Sequence, residues 1–256
     1  MKRLLCFWFA CLLAAACLPA GAESLTFEGT VFVGDSIMQQ IGRYRLEQTQ
    51  RGNPILEGAR FLAISSYSLS QGSRVTPDQN KPALMLRGSR VSLPEGLRIL
   101  EAKRAFVMLG MNDEAGARLN PQLNQYRRLI ERVLNRNPGL ELVALSVTPI
   151  AKRAQTKNLN QANFNAFNTA LEALCQELRV IYLDVATPLM DEEGFLRPEF
   201  SSDNRVKLWS AASDVYERQK MSCRVGSDAF NGDSPKLEFR SGVYGYVRGA
   251  EGRVKV

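Results

Sequence analysis

The chain has 256 residues, with 45% apolar and 23% charged residues and a formal charge of +7. That balance excludes wholesale disorder and a multi-span membrane protein, and the length fits one domain or one domain with a tail. It contains no histidine, so no chemistry that needs an imidazole base or an imidazole metal ligand is open to it.

The first 22 residues read as a secretory leader. Lys2 and Arg3 precede an apolar run from Leu4 to Cys17, and Ala20 and Ala22 supply the small residues of a cleavage site, with Glu23 as the new N-terminus. The run is short for a spanning helix, which needs about 20 residues, so no stable membrane span is expected after cleavage. Two alternatives are an uncleaved anchor and lipoprotein processing at Cys17. The second fits less well, because Ala14 stands three places before the cysteine where leucine is usual. Export to the periplasm or the medium follows. Cys6, Cys11 and Cys17 leave with the leader, and Cys175 and Cys223 remain as a possible disulfide or as one buried and one loop thiol. Loss of Lys2 and Arg3 lowers the net charge by two, and the remaining excess suits either a soluble basic surface or adsorption to anionic polymers. No basic run is interleaved with aromatics, so nucleic acid is not an expected partner.

Residues 29–33 (Gly-Thr-Val-Phe-Val) predict a short buried strand, ending at Gly34-Asp35-Ser36 and followed by a helix through Gln48. The stretch 72–96 is rich in Gly, Ser, Pro and charge and reads as a long connection. Residues 104–109 predict a second strand, which ends at Gly110-Met111-Asn112-Asp113. Residues 121–136 carry Leu123, Tyr126, Leu129, Ile130, Val133 and Leu134 at helix spacing, stopped by Asn137-Pro138-Gly139. A third strand over 140–147, a long helix over 158–178, a fourth strand over 180–185 and a last helix over 210–220 complete the alternation. Strands alternating with helices of this length imply parallel strands joined by crossovers. Their continuous apolar character implies a sheet covered on both faces. The fold class is therefore α/β, a three-layer α/β/α sandwich with a doubly wound, mostly parallel sheet. The domain spans 23–220, and a C-terminal extension over 221–256 reads as a small β tail.

In such sheets ligands bind outside the C-terminal strand ends, where the polar turns Gly34-Asp35-Ser36 and Gly110-Met111-Asn112-Asp113 fall. A serine that opens a helix commonly serves as its N-cap, and an asparagine after a strand is a common turn residue. Together, each on its own strand end, the two turns point instead to a shared pocket. A glycine-shaped turn lifts a serine hydroxyl clear of the sheet, and the N–H groups of the helix start face a developing oxyanion.

Val33-Gly34-Asp35-Ser36 resembles the first block of the SGNH/GDSL hydrolase family, and Gly110-Met111-Asn112-Asp113 resembles its G-x-N-D block. The resemblance spans about residues 29–216. It implies that Ser36 is the nucleophile, that Asn112 donates to the oxyanion, and that Gly110 shapes that block. The family's second block supplies a backbone N–H, usually from glycine. The corresponding segment here is Ile64-Ser65-Ser66-Tyr67-Ser68, with Ser66 as the choice. The last block, D-x-x-H, departs from the pattern: Ser202-Asp203-Asn204-Arg205-Val206-Lys207 places Lys207 where the histidine belongs and Asp203 one place early. A free lysine, near 10.4, is almost wholly protonated at neutral pH, and Asp203 or Glu199 beside it would keep it so. The missing histidine and the altered tail both fall after about residue 206, as a frameshift in the gene would produce.

The resemblance implies an exported esterase acting on an acylated small molecule or a cell-envelope polysaccharide, without metal or cofactor. The alternative is a catalytically inactive binding protein of the same fold.

Overall fold

The computed structural model describes residues 27–201 and the backbone of four short strands in the C-terminal extension. Five parallel strands form one sheet: β1 (Thr30–Gly34), β2 (Arg60–Ala63), β5 (Arg104–Met108), β6 (Glu141–Leu145) and β7 (Ile181–Leu183), in the order β2-β1-β5-β6-β7. The helices are α1 (Ser36–Gln50), α2 (Leu69–Gly72), α3 (Leu93–Ile99), α4 (Leu119–Arg136) and α5 (Gln161–Leu178). A two-stranded antiparallel ribbon, β3 (Leu84–Leu86) with β4 (Ser89–Val91), sits between α2 and α3 in the chain. In the extension, β8 (Ser222–Val225) pairs antiparallel with β9 (Leu237–Arg240), and β10 (Tyr246–Gly249) with β11 (Gly252–Lys255). The proposed leader and the predicted helix over 210–220 lie outside the described residues.

Strand periodicity sorts the core into two layers. Val31, Val33, Ala105, Val107, Leu142 and Ala144 face one side, where Tyr126, Leu129 and Val133 of α4 and Phe164, Phe167 and Leu171 of α5 cover them. The alternate residues Phe32, Phe106, Met108, Val143 and Leu145 face the other, against Ile37 and Met38 of α1. Every strand residue of β1 is buried, the pattern expected of a sheet covered on both faces. Across three neighbouring strands Phe61, Phe32 and Phe106 fall in register and stack, with centroids 5.2 and 4.9 Å apart.

Two parts of the predicted layout are corrected. The stretch 72–96 is not a plain connection but carries β3, β4 and the start of α3, whose first turn accommodates Pro94 because that position needs no backbone N–H. The possible bond of Cys175 to Cys223 is not made: Cys175 is a free thiol, fully buried on α5 within the main core layer. Burial pushes that thiol up to about 12. In this setting it behaves as a small apolar side chain.

Candidate active site

The sheet grows outward from β1 in one direction to β2 and in the other to β5, so the winding reverses between β1 and β5. A crevice forms at such a reversal, at the C-terminal strand ends. Both polar motifs arrive there. Gly34 is paired with Met108 at the ends of adjacent strands, so Asp35 and Ser36 leave one strand where Leu109 and Gly110 leave the next.

Ser36 is the first residue of α1, but it is not the cap. Asp35 is: its Oδ1 accepts the Ile37 N–H at 2.9 Å. The capping role open to a serine at a helix start is thus taken by its neighbour. Among the described residues no group hydrogen bonds to the Ser36 hydroxyl, which is half-buried. Gly34 is required by close approach, not by its backbone angles. A Cβ there would stand 2.8 Å from Met38 Cβ and 3.0 Å from the Met108 carbonyl oxygen.

Asp35 is 2% exposed. Burial, the largest influence, raises its carboxyl to about 6; the Ile37 N–H opposes that rise and the charge of Asp113 adds to it. Asn112 Nδ2 donates to Asp35 Oδ2 at 3.0 Å and to the Tyr67 carbonyl at 3.1 Å. One amide thus bridges the residue before Ser36 and the residue after Ser66, so the three predicted blocks meet. An asparagine amide carries two N–H donors, and both are occupied here. To serve an oxyanion, Asn112 must share or exchange one of them.

Ser66 has φ of +60°. The left-handed region costs a non-glycine residue about 1–2 kcal/mol, which is why glycine suits this position. The backbone therefore marks Ser66 as the glycine-like site in the second block. Its N–H donates to no group among the described residues, and the residue is exposed. Gly110 is buried, with φ of +127°, and a Cβ there would meet the Phe167 ring at 3.0 Å. It shapes the turn that carries Asn112. Its carbonyl accepts the Asp113 N–H at 2.9 Å. Asp203 and Lys207 lie outside the described residues.

Sequence reasoning left two residues of this region without a role. Asp113 accepts from the Leu69 N–H at 2.5 Å and the Ser70 N–H at 3.2 Å, and burial raises its carboxyl. Gln122, on the inner face of α4 and 4% exposed, donates to the Asp113 carbonyl at 2.5 Å and the Glu114 carbonyl at 3.1 Å, and accepts from the Gly116 N–H at 2.8 Å. The signal for Gln122 was its place in the stripe Gln122, Tyr126, Leu129, Val133, a polar residue at apolar spacing. Among the described residues, no group of three or more Cys, Asp or Glu side chains converges as a metal site would require.

A family model described as GDSL-like lipase/acylhydrolase matches residues 32–208. The chain belongs to the GDSL-like lipase/acylhydrolase family. Solved structures with the same fold include a GDSL-like lipase from Bacteroides thetaiotaomicron, 16% identical, covering 80% of this chain and 89% of that one with a TM-score of 0.54. An acetyl xylan esterase is 14% identical and covers 73% of this chain and 94% of its own, with a TM-score of 0.52. A catalytic mutant of an acetylxylan esterase from Geobacillus stearothermophilus is also 14% identical, with 75% and 92% coverage and a TM-score of 0.52. The search of curated proteins found no match. Among the described residues no helix is long and apolar enough to cross a membrane.

Proposed function

We propose that this family member is an exported serine esterase that removes short acyl groups, such as acetyl, from cell-envelope glycans, and that it works slowly because it lacks an imidazole base. The observation that carries the reading is the Ser36 hydroxyl, without a hydrogen-bond partner among the described residues, next to the Asp35–Asn112–Tyr67 bridge. In this scheme Ser36 Oγ bonds to the ester carbonyl carbon. The alcohol departs with the serine proton, and water then cleaves the acyl-serine to release the carboxylic acid. The carbonyl oxygen, negatively charged between these steps, faces Asn112 Nδ2 and the N–H groups of Ser36 and Ser66. Removal of triad members leaves about 10³–10⁴-fold catalysis over water, supplied by the oxyanion hole and by binding. Fold similarity to acetyl xylan esterases agrees with a small acyl group on a polysaccharide.

Lys207 and Asp203 are the candidates for moving the serine proton. Their position in the last block supports that assignment, and the high intrinsic pKa of lysine explains the expected slowness. One observation favours a second reading, a binding protein that kept the pocket and lost the reaction: the chain has no histidine.

A fluorophosphonate separates the two readings. The esterase reading expects covalent capture at Ser36, abolished in Ser36→Ala, and a large gain in ester cleavage in Lys207→His. Saturable glycan binding without capture, unchanged by Lys207→His, would favour the binding protein and overturn the esterase.

A further inference from the structure

We infer that Asp113 is a positioning residue for the second oxyanion donor, acting through the segment 66–70, and that Gln122 holds Asp113 in place. The inference rests on the esterase reading above and deepens it. The Ser66 N–H can serve an oxyanion only if its peptide is held at one angle. Its own conformation, with φ of +60°, is one that a serine leaves when nothing constrains it.

A turn closed by the Tyr67 N–H on the Ile64 carbonyl at 3.2 Å holds Ser66 locally, and three side chains fix that turn in place. Upstream, Ser65 Oγ donates to Gln39 Oε1 at 2.8 Å, tying the segment to the helix that begins with Ser36. At the centre, the Tyr67 carbonyl accepts from Asn112 at 3.1 Å. Downstream, Asp113 accepts from the Leu69 and Ser70 N–H groups. Leu69 is fully buried, whereas Ser65, Ser66 and Ser70 are exposed. The Ser65–Gln39 bond is exposed to water, so it competes with solvent and contributes little. The downstream grip is charge-assisted, the stronger kind, and its Leu69 bond is partly buried while its Ser70 bond is exposed.

Asp113 in turn sits on a turn anchored by the buried Ala115 and by bonds from the inner face of α4. Gln122 spends both its oxygen and its amide on the backbone of residues 113–116. Its burial on an 18-residue helix packed against the sheet makes it the fixed end of the chain of bonds. The sequence of contacts runs from α4 through Gln122 to the 113–116 backbone, through the Asp113 carboxylate to α2, and so to Ser66. Asn112, on the same turn, is placed by the same support. The two oxyanion donors are therefore set by one turn.

The test uses the full chain with Asp113→Asn and Asp113→Ala, each checked for a native circular dichroism spectrum, and a saturable fluorophosphonate. Asp113→Asn keeps one acceptor oxygen and so one of the two grips, which keeps the test usable if the alanine variant does not fold. Expected are a rise of at least about tenfold in amide hydrogen exchange at Leu69 and Ser70. The maximal rate of phosphonylation at Ser36 should fall about tenfold or more, with little change in the reagent concentration for half-saturation, and the asparagine variant should be the milder of the two. Faster exchange with an unchanged maximal rate would make Asp113 a purely structural clamp and overturn the inference, as would unchanged exchange in either folded variant. Wild type that takes no label at Ser36 would overturn the esterase reading and this inference with it. Labelling of wild type and variants at one rate would overturn the inference alone.

Discussion

Asp35→Asn should abolish the pH dependence of stability that this carboxyl imposes. Asp35 titrates near 6 in the folded chain against 3.8 for the free group, because the surrounding core removes it from water. A carboxyl with a higher pKa in the folded chain takes up a proton on folding, so its contribution is most favourable in acid. Well below pH 4 both states are protonated and the site is neutral. Between about pH 4 and 6 the unfolded chain ionises while the buried carboxyl stays protonated, so stability falls by about 3 kcal/mol in all, at 1.36 kcal/mol per pKa unit, and levels off above pH 6. Asparagine removes that cost at every pH and still caps α1 through its one carbonyl oxygen. That oxygen is committed to the Ile37 N–H, so the bond from Asn112 is lost at about 1 kcal/mol, independent of pH. The variant should be about 0.5 kcal/mol less stable than wild type near pH 4 and about 2 kcal/mol more stable near pH 8, with the curves crossing between pH 4 and 5. Urea unfolding followed by far-ultraviolet circular dichroism at five pH values between 4 and 8 measures the difference directly. A difference that stays flat across that range would show that Asp35 is not a buried, proton-binding carboxyl and that the turn before Ser36 is held in some other way.

Other substitutions test the remaining parts of the site. Asn112→Ala should cut phosphonylation or ester cleavage at Ser36 by about 10²–10³, the usual loss for one oxyanion donor; because its bonds to Asp35 and the Tyr67 carbonyl go with it, stability should fall by about 1–2 kcal/mol as well, and calorimetry beside the rate assay checks both. Ser66→Gly keeps the backbone N–H and relieves a left-handed serine, a gain of about 1–2 kcal/mol set against about 0.5–1 kcal/mol of extra chain entropy. A net stabilisation of up to about 1 kcal/mol in urea, with the labelling rate retained, is expected, and a loss of stability would contradict the positive φ. Cys175, buried and pushed up to about 12, should resist thiol reagents at pH 8 in the native protein and react on unfolding, as peptide mapping after alkylation would show.

The sheet was legible because its central strands are written as unbroken apolar runs. β1, β5 and β6 are buried on both faces, so every residue but the opening Arg104 and Glu141 is selected for the interior, and no helical period competes. β2 escaped notice for the converse reason. It is a four-residue edge strand with an exposed Arg60 and one fully buried residue, Leu62, and its pairing is dictated by β1, not by its own composition. α3 was hidden by Pro94 and Gly96, which read as loop residues in isolation. Proline belongs in a first helical turn, and the turn is recognised only when the strand before it is already placed. The fate of Cys175 was undetermined for a similar reason. Its spacing to Leu171, Leu174 and Leu178 puts it on the apolar face of α5, yet pairing depends on where another segment runs.

At the site the sequence carried the two groups that stand on rigid elements. Ser36 and Asn112 follow strands whose ends are fixed by register, so a motif next to an apolar run was enough to place them. Ser66 was harder, since nothing in Ile-Ser-Ser-Tyr-Ser specifies a left-handed residue; it lies in a turn closed by the Tyr67 N–H on the Ile64 carbonyl at 3.2 Å, and that turn is tied down by bonds to Gln39, Asn112 and Asp113, all distant in the chain. Those bonds bear on the missing histidine. The proposed donors are held by Asp35, Asp113 and Gln122, and all three lie among the described residues. The proposed proton-transfer group, Lys207, belongs to the segment after residue 201. A base contributes about 10²–10⁴-fold and one oxyanion donor about 10²–10³-fold, two factors of similar size with separate structural supports. Loss of the first leaves the second in place. Lys207→His, made in the chain as it stands, should therefore raise the rate without altering the pH-dependent stability that Asp35 confers. A stability curve that moved with that substitution would mean that the two halves of the site are not independent.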